Sequence, residues 1–174
     1  MSIYPEPSDD GLTDDPGRCV GNLRLTARCV DPDVTYADLL ADHEVMERLA
    51  RSLLDLLREP SPQVDAACLT LRRLAIRVRD HLVAGEPMVR ATLVAADGTR
   101  HVQLAAVSIE YWAAFSELWS LYVYRWDKAH IALDWAAFDE ETATVVAQLL
   151  EWIMRQATIL YSLALHHGVI AAGR

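Results

Sequence analysis

Apolar and polar positions from Thr35 onward repeat with the period of a helix. In "TYADLLADHEVMERLARSLLDLLREPSP", Leu39, His43, Met46, Ala50, Leu53 and Leu57 follow steps of four and three, which puts them on one face. Thr35 is suited to cap that helix with Asp38 three residues on, and Pro60 and Pro62 end it. A second face, Ala67, Leu71, Leu74, Val78, His81, Gly85 and Met88, predicts a helix over about 64–94. Pro87 should kink it, because its ring removes a backbone donor and crowds the preceding turn. After the turn signal "AADGT", a third helix is expected over about 101–126, with Leu104, Val107, Tyr111, Phe115, Leu118 and Tyr122 inward. The segment "DKAHIALDWAAFDEE" reads as a connection with capping signals. A fourth helix then starts at Asp134 or Asp139 and runs to about His167, with Val145, Leu149, Trp152, Gln156, Ile159 and Leu163 inward and Gly168 as its stop.

Four long amphipathic helices with short links predict an all-α, up-down-up-down four-helix bundle over residues 34–170. Residues 1–33, rich in Pro, Asp and Gly, read as an extended N-terminal arm lying on it. No internal repeat is evident.

Composition narrows the function classes. A formal charge of -9, from 25 acidic and 16 basic residues, repels phosphate backbones and argues against nucleic-acid binding. No apolar run is long enough for a membrane span, and the first residues lack the pattern of a signal peptide. Three widely spaced cysteines, Cys19, Cys29 and Cys68, suggest unpaired thiols in a cytoplasmic protein. No nucleophile elbow, phosphate-cradling glycine loop or Cys-x-x-Cys pair appears.

The chemistry is expected where the inward faces stop being apolar: at His43, His81, Tyr111, Trp152 and Gln156. His43 lies 17 residues before Pro60 and His81 lies 19 after Pro62; His81 precedes Asp97 by 16 and Tyr111 follows it by 14. At about 1.5 Å per residue these mismatches amount to a few ångströms. The exceptions therefore meet in one central layer, where buried polar groups can partner one another. His43, His81 and Glu86 are one candidate metal-ligand set; two hydrogen-bonded core histidines are the plainer reading. Asp42 and Glu44 are expected to be solvated, and Glu110 to lie at the surface. The adjacent His166 and His167 diverge by about 100° on a helix and are not expected to share an ion. His101 and His130 are expected to be exposed. Trp112, Trp119, Tyr122 and Trp126 form a second apolar stripe on the third helix, which either the N-terminal arm covers or, the favoured expectation, a second copy does in a homodimer.

Over residues 36–170 the sequence resembles the hemerythrin-like family, cation-binding four-helix bundles with a non-haem di-iron centre. "LLADHEVMERLARSLLDLL" is similar to the family's first helix, with His43 at its lone ligand. "RDHLVAGEPMV" resembles the second, a histidine followed four or five residues later by a carboxylate, so Gly85 or Glu86 stands at that position. "SIEYWAAFSEL" resembles the third, with Tyr111 where histidine is usual. "LLEWIMRQATILYSLALHHGVI" is similar to an ending of the type H-x-x-x-E-N-x-L-L-Y-P-L-A, with Trp152 at the histidine and Gln156 at the carboxylate. The resemblance implies a degenerate site, too poor in carboxylates for two irons. Expected is a small-ligand binding, sensing or interaction module rather than an enzyme, with a pocket formed by Tyr111, Trp152, Gln156 and Gly85. No cofactor is expected in that reading. An alternative keeps one iron on His43, His81 and Glu86 to handle O2, NO or peroxide, and a third is a structural dimer.

Overall fold

The computed structural model describes residues 35–172, and every regular element among them is helical. Helix α1 spans Tyr36–Leu57, α2 Val64–Ala95, α3 Gly98–Arg125, α4 Lys128–Leu133 and α5 Trp135–Arg155; a π-helical turn, Gln156–Leu160, then leads into α6, Tyr161–His166. The expected N-terminal arm lies outside the described residues. No described helix is long and apolar enough to cross a membrane.

The starts of these helices follow from their capping chemistry. The Thr35 hydroxyl accepts from the Asp38 backbone N–H at 3.3 Å while the Asp38 carboxylate accepts from the Thr35 N–H at 3.0 Å, a reciprocal box that satisfies two otherwise unpaired donors. The Thr35 hydroxyl also donates to the Asp38 carboxylate at 2.6 Å, and this bond first, with the Thr35 N–H second, holds that carboxyl below its usual range. Asp127 accepts from the His130 N–H and so begins α4, a short helix within the expected connection; Asp134 does the same for α5 through the Ala137 N–H. The Tyr36 N–H, another first-turn donor, bonds to the Ala171 carbonyl at 2.9 Å and ties the two ends of the described chain together.

Helix α1 packs on α2 and α5, and α3 packs on α2 and α5, so each long helix touches two others. The buried face of α1 is Leu39, His43, Met46, Ala50, Leu53 and Leu57, the face read from its period. Helix α2 buries its expected residues and, beside them, Ala75, Val89 and Thr92. It runs on through Pro87 as one helix. Cys68 on α2 is disulfide-bonded, so the expectation of unpaired thiols does not hold for it.

Helix α3 departs most from expectation. It buries Ala105, Trp112, Phe115, Trp119, Tyr122 and Val123, while Val107 is exposed and Tyr111 and Leu118 are half-buried. The aromatic stripe expected at a dimer interface is the inward face: Trp112, Trp119, Tyr122 and Trp126 are all under 9% exposed. The reason is area. Two overlapping faces share Phe115 and Tyr122, and the one carrying the indoles removes more apolar surface from water. Below the central layer the Tyr122 hydroxyl meets the Thr142 hydroxyl at 2.7 Å, and Trp126 Nε1–H donates to Glu141 Oε2 at 3.0 Å. Burial pushes the Tyr122 phenol upward, so it stays protonated.

Candidate functional site: a charge-poor polar layer

Four side chains from three stretches of chain converge in the interior. His43 of α1 and His81 of α2 approach through their Nε2 atoms at 3.2 Å. The Tyr161 hydroxyl lies 2.9 Å from His43 Nε2 and 3.0 Å from His81 Nε2, and donates to Gln156 Oε1 at 2.7 Å. Gln156 Oε1 also lies 3.3 Å from His81 Nε2. All four residues are buried.

Tyr161 was not among the expected site residues; the π turn explains both its presence and its omission. Five residues of an ordinary α-helix rotate by about 500°, which would leave Gln156 and Tyr161 about 140° apart. The π turn closes instead with the Tyr161 N–H bonded to the Gln156 carbonyl, and this wider coil brings residues five apart onto neighbouring directions. Single π turns inside α-helices often mark functional sites. A sequence window tuned to 3.6 residues per turn has no means of finding one. The signal on offer was the tyrosine in "ILYSLAL", at the tyrosine of the family-like ending.

Aromatic rings wall the layer. Trp152, fully buried, stands edge-on to His81 with ring centres 5.8 Å apart and stacks on Phe115 at 4.3 Å. Trp112 stacks on His81 at 6.3 Å and contacts Trp152 at 5.4 Å. The Trp112 ring lies on the backbone at Gly85: a Cβ there would come within 2.4 Å of its Cη2 atom. Gly85 is thus a seat for an indole.

The electrostatics favour neutral groups. Burial first, and the neighbouring His81 second, push the His43 imidazole down to about 3, so it is uncharged near neutrality. Burial raises the Tyr161 phenol, which remains a proton donor. Asp42, expected to be solvated, reaches from the rim: its Oδ2 lies 3.6 Å from His81 Nδ1 and its Oδ1 3.5 Å from Arg77. The His81 contact is the main cause holding the Asp42 carboxyl below its usual range.

Glu86 points the other way. It is exposed and pairs with Arg90 at 2.7 Å on the outer face of α2, so the candidate ligand set His43, His81 and Glu86 is not brought together. The five-residue offset from His81 to Glu86 is about 140° on a continuous helix, and Pro87 does not redirect it. Glu110 is exposed as well. Tyr111, expected in the layer, is half-buried outside it, with the Arg155 guanidinium 4.6 Å above its ring.

A cavity opens beside the layer between α3 and the α5–π segment, lined among others by Tyr111, Trp112, Trp152, Arg155 and Gln156. Gln156 Nε2 and Trp152 Nε1 are buried donors with no protein partner. Leaving such groups unpaired costs about 1–3 kcal/mol each, so the site suits a guest that accepts hydrogen bonds.

The donor set can be tested against metals. Two irons need bridging carboxylates, and none of the four converging atoms belongs to one. A single ion fits better: ligands held at about 2.0–2.1 Å in a tetrahedron lie about 3.3 Å apart, and the five distances above run from 2.7 to 3.3 Å. Comparison with models of protein families, with curated proteins and with solved structures finds no match to this chain.

Proposed function

We propose that the chain is a hemerythrin-like, up-down-up-down four-helix bundle whose di-iron donor set has been replaced, and that it binds or senses a small ligand rather than catalysing a reaction. The carrying observation is the buried, hydrogen-bonded cluster of His43, His81, Gln156 and Tyr161 beside a cavity lined by residues with two unpartnered buried donors. The guest would have an apolar body to lie against Trp112 and Trp152 and an oxygen to accept from Gln156 Nε2. Localisation in the cytoplasm, expected from unpaired thiols, loses that support with the disulfide at Cys68. A dimer through the third helix does not belong to this reading, since the residues expected to form that interface are buried within the chain.

A second reading has its own support. The four central donor atoms are spaced like one coordination sphere, and Asp42 lies behind His81 as carboxylates commonly lie behind metal-bound histidines. In this reading His43, His81, Tyr161 and Gln156 would hold one iron, which would supply binding of O2, NO or peroxide; Glu86 has no part.

Metal analysis of tag-free protein from an iron-supplemented culture separates the readings. The first expects iron well below one per chain, and tryptophan emission that responds to small oxygen-bearing ligands in the native chain but not in Gln156→Leu. One iron per chain, with a visible tyrosinate charge-transfer band lost in Tyr161→Phe, establishes the second. Two irons per chain overturn both.

A further inference from the structure

A second cluster of imidazoles forms at the far end of the last helix. His101 lies in the first turns of α3, His166 is the last residue of α6 and His167 caps it. Sequence reasoning expects His101 to be exposed and the adjacent pair to diverge. The structure places all three ring centres 4.8 to 5.1 Å apart, each pair of rings within about 11° of perpendicular. His101 Nδ1 and His167 Nε2 lie 3.2 Å apart, and one potential ligand atom from each of the three histidines falls within 4.8 Å of the others. Asp97 Oδ1 is 3.8 Å from His101 Nδ1 and 3.9 Å from His167 Nδ1.

We propose that His101, His166 and His167 form a binding site for one divalent transition cation of the zinc type, with the Asp97 carboxylate or water as the fourth ligand. Rings radiating from an ion with Zn–N bonds of about 2.0–2.1 Å have their centres about 3.2 Å from it and, at tetrahedral angles, about 5.2 Å from each other. The observed spacing is close to that. The pair at 3.2 Å already matches a coordination edge, and the exposed His166 has the rotameric freedom to close the remaining gap. Imidazole suits zinc, copper and nickel over magnesium or calcium.

The backbone around the cluster is firmly set. Gly168, at φ +67°, lets the chain reverse; its N–H bonds to the Leu165 carbonyl and the Val169 N–H to the Ala164 carbonyl, the two bonds of a Schellman cap. Gly98, at φ +70°, turns the chain into α3 just before His101. These two left-handed residues bring histidines 65 and 66 positions apart in sequence to one point. A bound ion would tie the end of α6 to the start of α3, at a site separate from the central layer.

Calorimetric titration of tag-free, metal-stripped protein with Zn2+ alone tests this, with Co2+ absorption as a second readout. Expected are one tight ion per chain, tetrahedral d–d bands with Co2+, and a rise in Tm on binding. His166→Gln and His101→Gln should weaken that binding at least tenfold, whereas His81→Gln should leave it unchanged. Acidification should progressively weaken the binding, because metal and protons compete for the same ring nitrogens. Since His166 is exposed, its replacement leaves the fold intact and keeps the comparison fair. Equal Zn2+ affinity in the native chain and His166→Gln overturns the proposal, as does loss of the tight ion in His81→Gln alone.

Discussion

Two sets of histidines assemble in this molecule, under opposite conditions. His43 and His81 meet in the interior, walled by Trp112 and Trp152, and share their Nε2 atoms with a phenol and an amide. His101, His166 and His167 meet at a helix end where His166 is exposed and Asp97 is within 4 Å of two of them. The same side chain therefore has two fates. Inside, desolvation fixes His43 as a neutral hydrogen-bonding group; at the helix end, an exposed ring and a nearby carboxylate gather donor atoms that a cation can use.

The comparison would break most completely if the interior did not depend on its dry aromatic floor. Trp119 is 2% exposed, so Trp119→Glu should unfold the chain at 25 °C, a loss above about 4 kcal/mol, seen as collapse of the far-ultraviolet helix signal. A folded monomer in its place would mean that this ring faces outward after all.

Next in size is the proton sensitivity of the interior. His43 takes a proton near pH 6.5 when unfolded and only near about 3 when folded, so between those values the unfolded chain binds more protons. Its contribution is complete above pH 6.5 and declines on acidification by about 1.4 kcal/mol per pH unit. Urea melts should show about 2 kcal/mol lost from pH 6.5 to 5, a window above most carboxylate titrations, and His43→Phe should flatten that slope. An unchanged slope in the variant would place the buried proton elsewhere.

A smaller effect sharpens the account of the aromatic wall. Gly85→Ala gains about 1 kcal/mol in helix propensity but overpacks against Trp112, at a cost of about 1–3 kcal/mol. The net should be a loss of up to about 2 kcal/mol in unfolding free energy, accompanied by altered tryptophan emission. A gain in stability would mean that the indole stands off the backbone. Glu86→Gln marks the lower bound: it removes one exposed ion pair and should change stability by less than about 0.5 kcal/mol and metal content not at all.

Much of this was legible in the sequence for physical reasons. Burial of α1 follows the 3.6-residue period because each inward residue there is apolar apart from His43. The meeting of His43 with His81 follows from counting residues to a turn. Three things were not legible. Helix α3 is apolar on two overlapping faces that periodicity alone does not rank, and the area of the Trp112 and Trp119 indoles decides between them. Tyr161 enters through a local change of coil that no periodic window detects. His101 and His166 lie far apart in sequence, and their encounter depends on how α3 and α6 are docked.

The wide coil at Gln156–Leu160 bears on both histidine sets at once. It is the equivalent of one surplus residue threaded into an otherwise ordinary rod, and everything downstream inherits its angular phase. Winding the same residues as a plain α-helix, with none removed, would swing the Tyr161–His167 stretch by about a quarter-turn, taking the phenol out of the interior and the two terminal imidazoles away from His101 in a single step. The widened turn, rather than any single side chain, thus keeps both gatherings in phase.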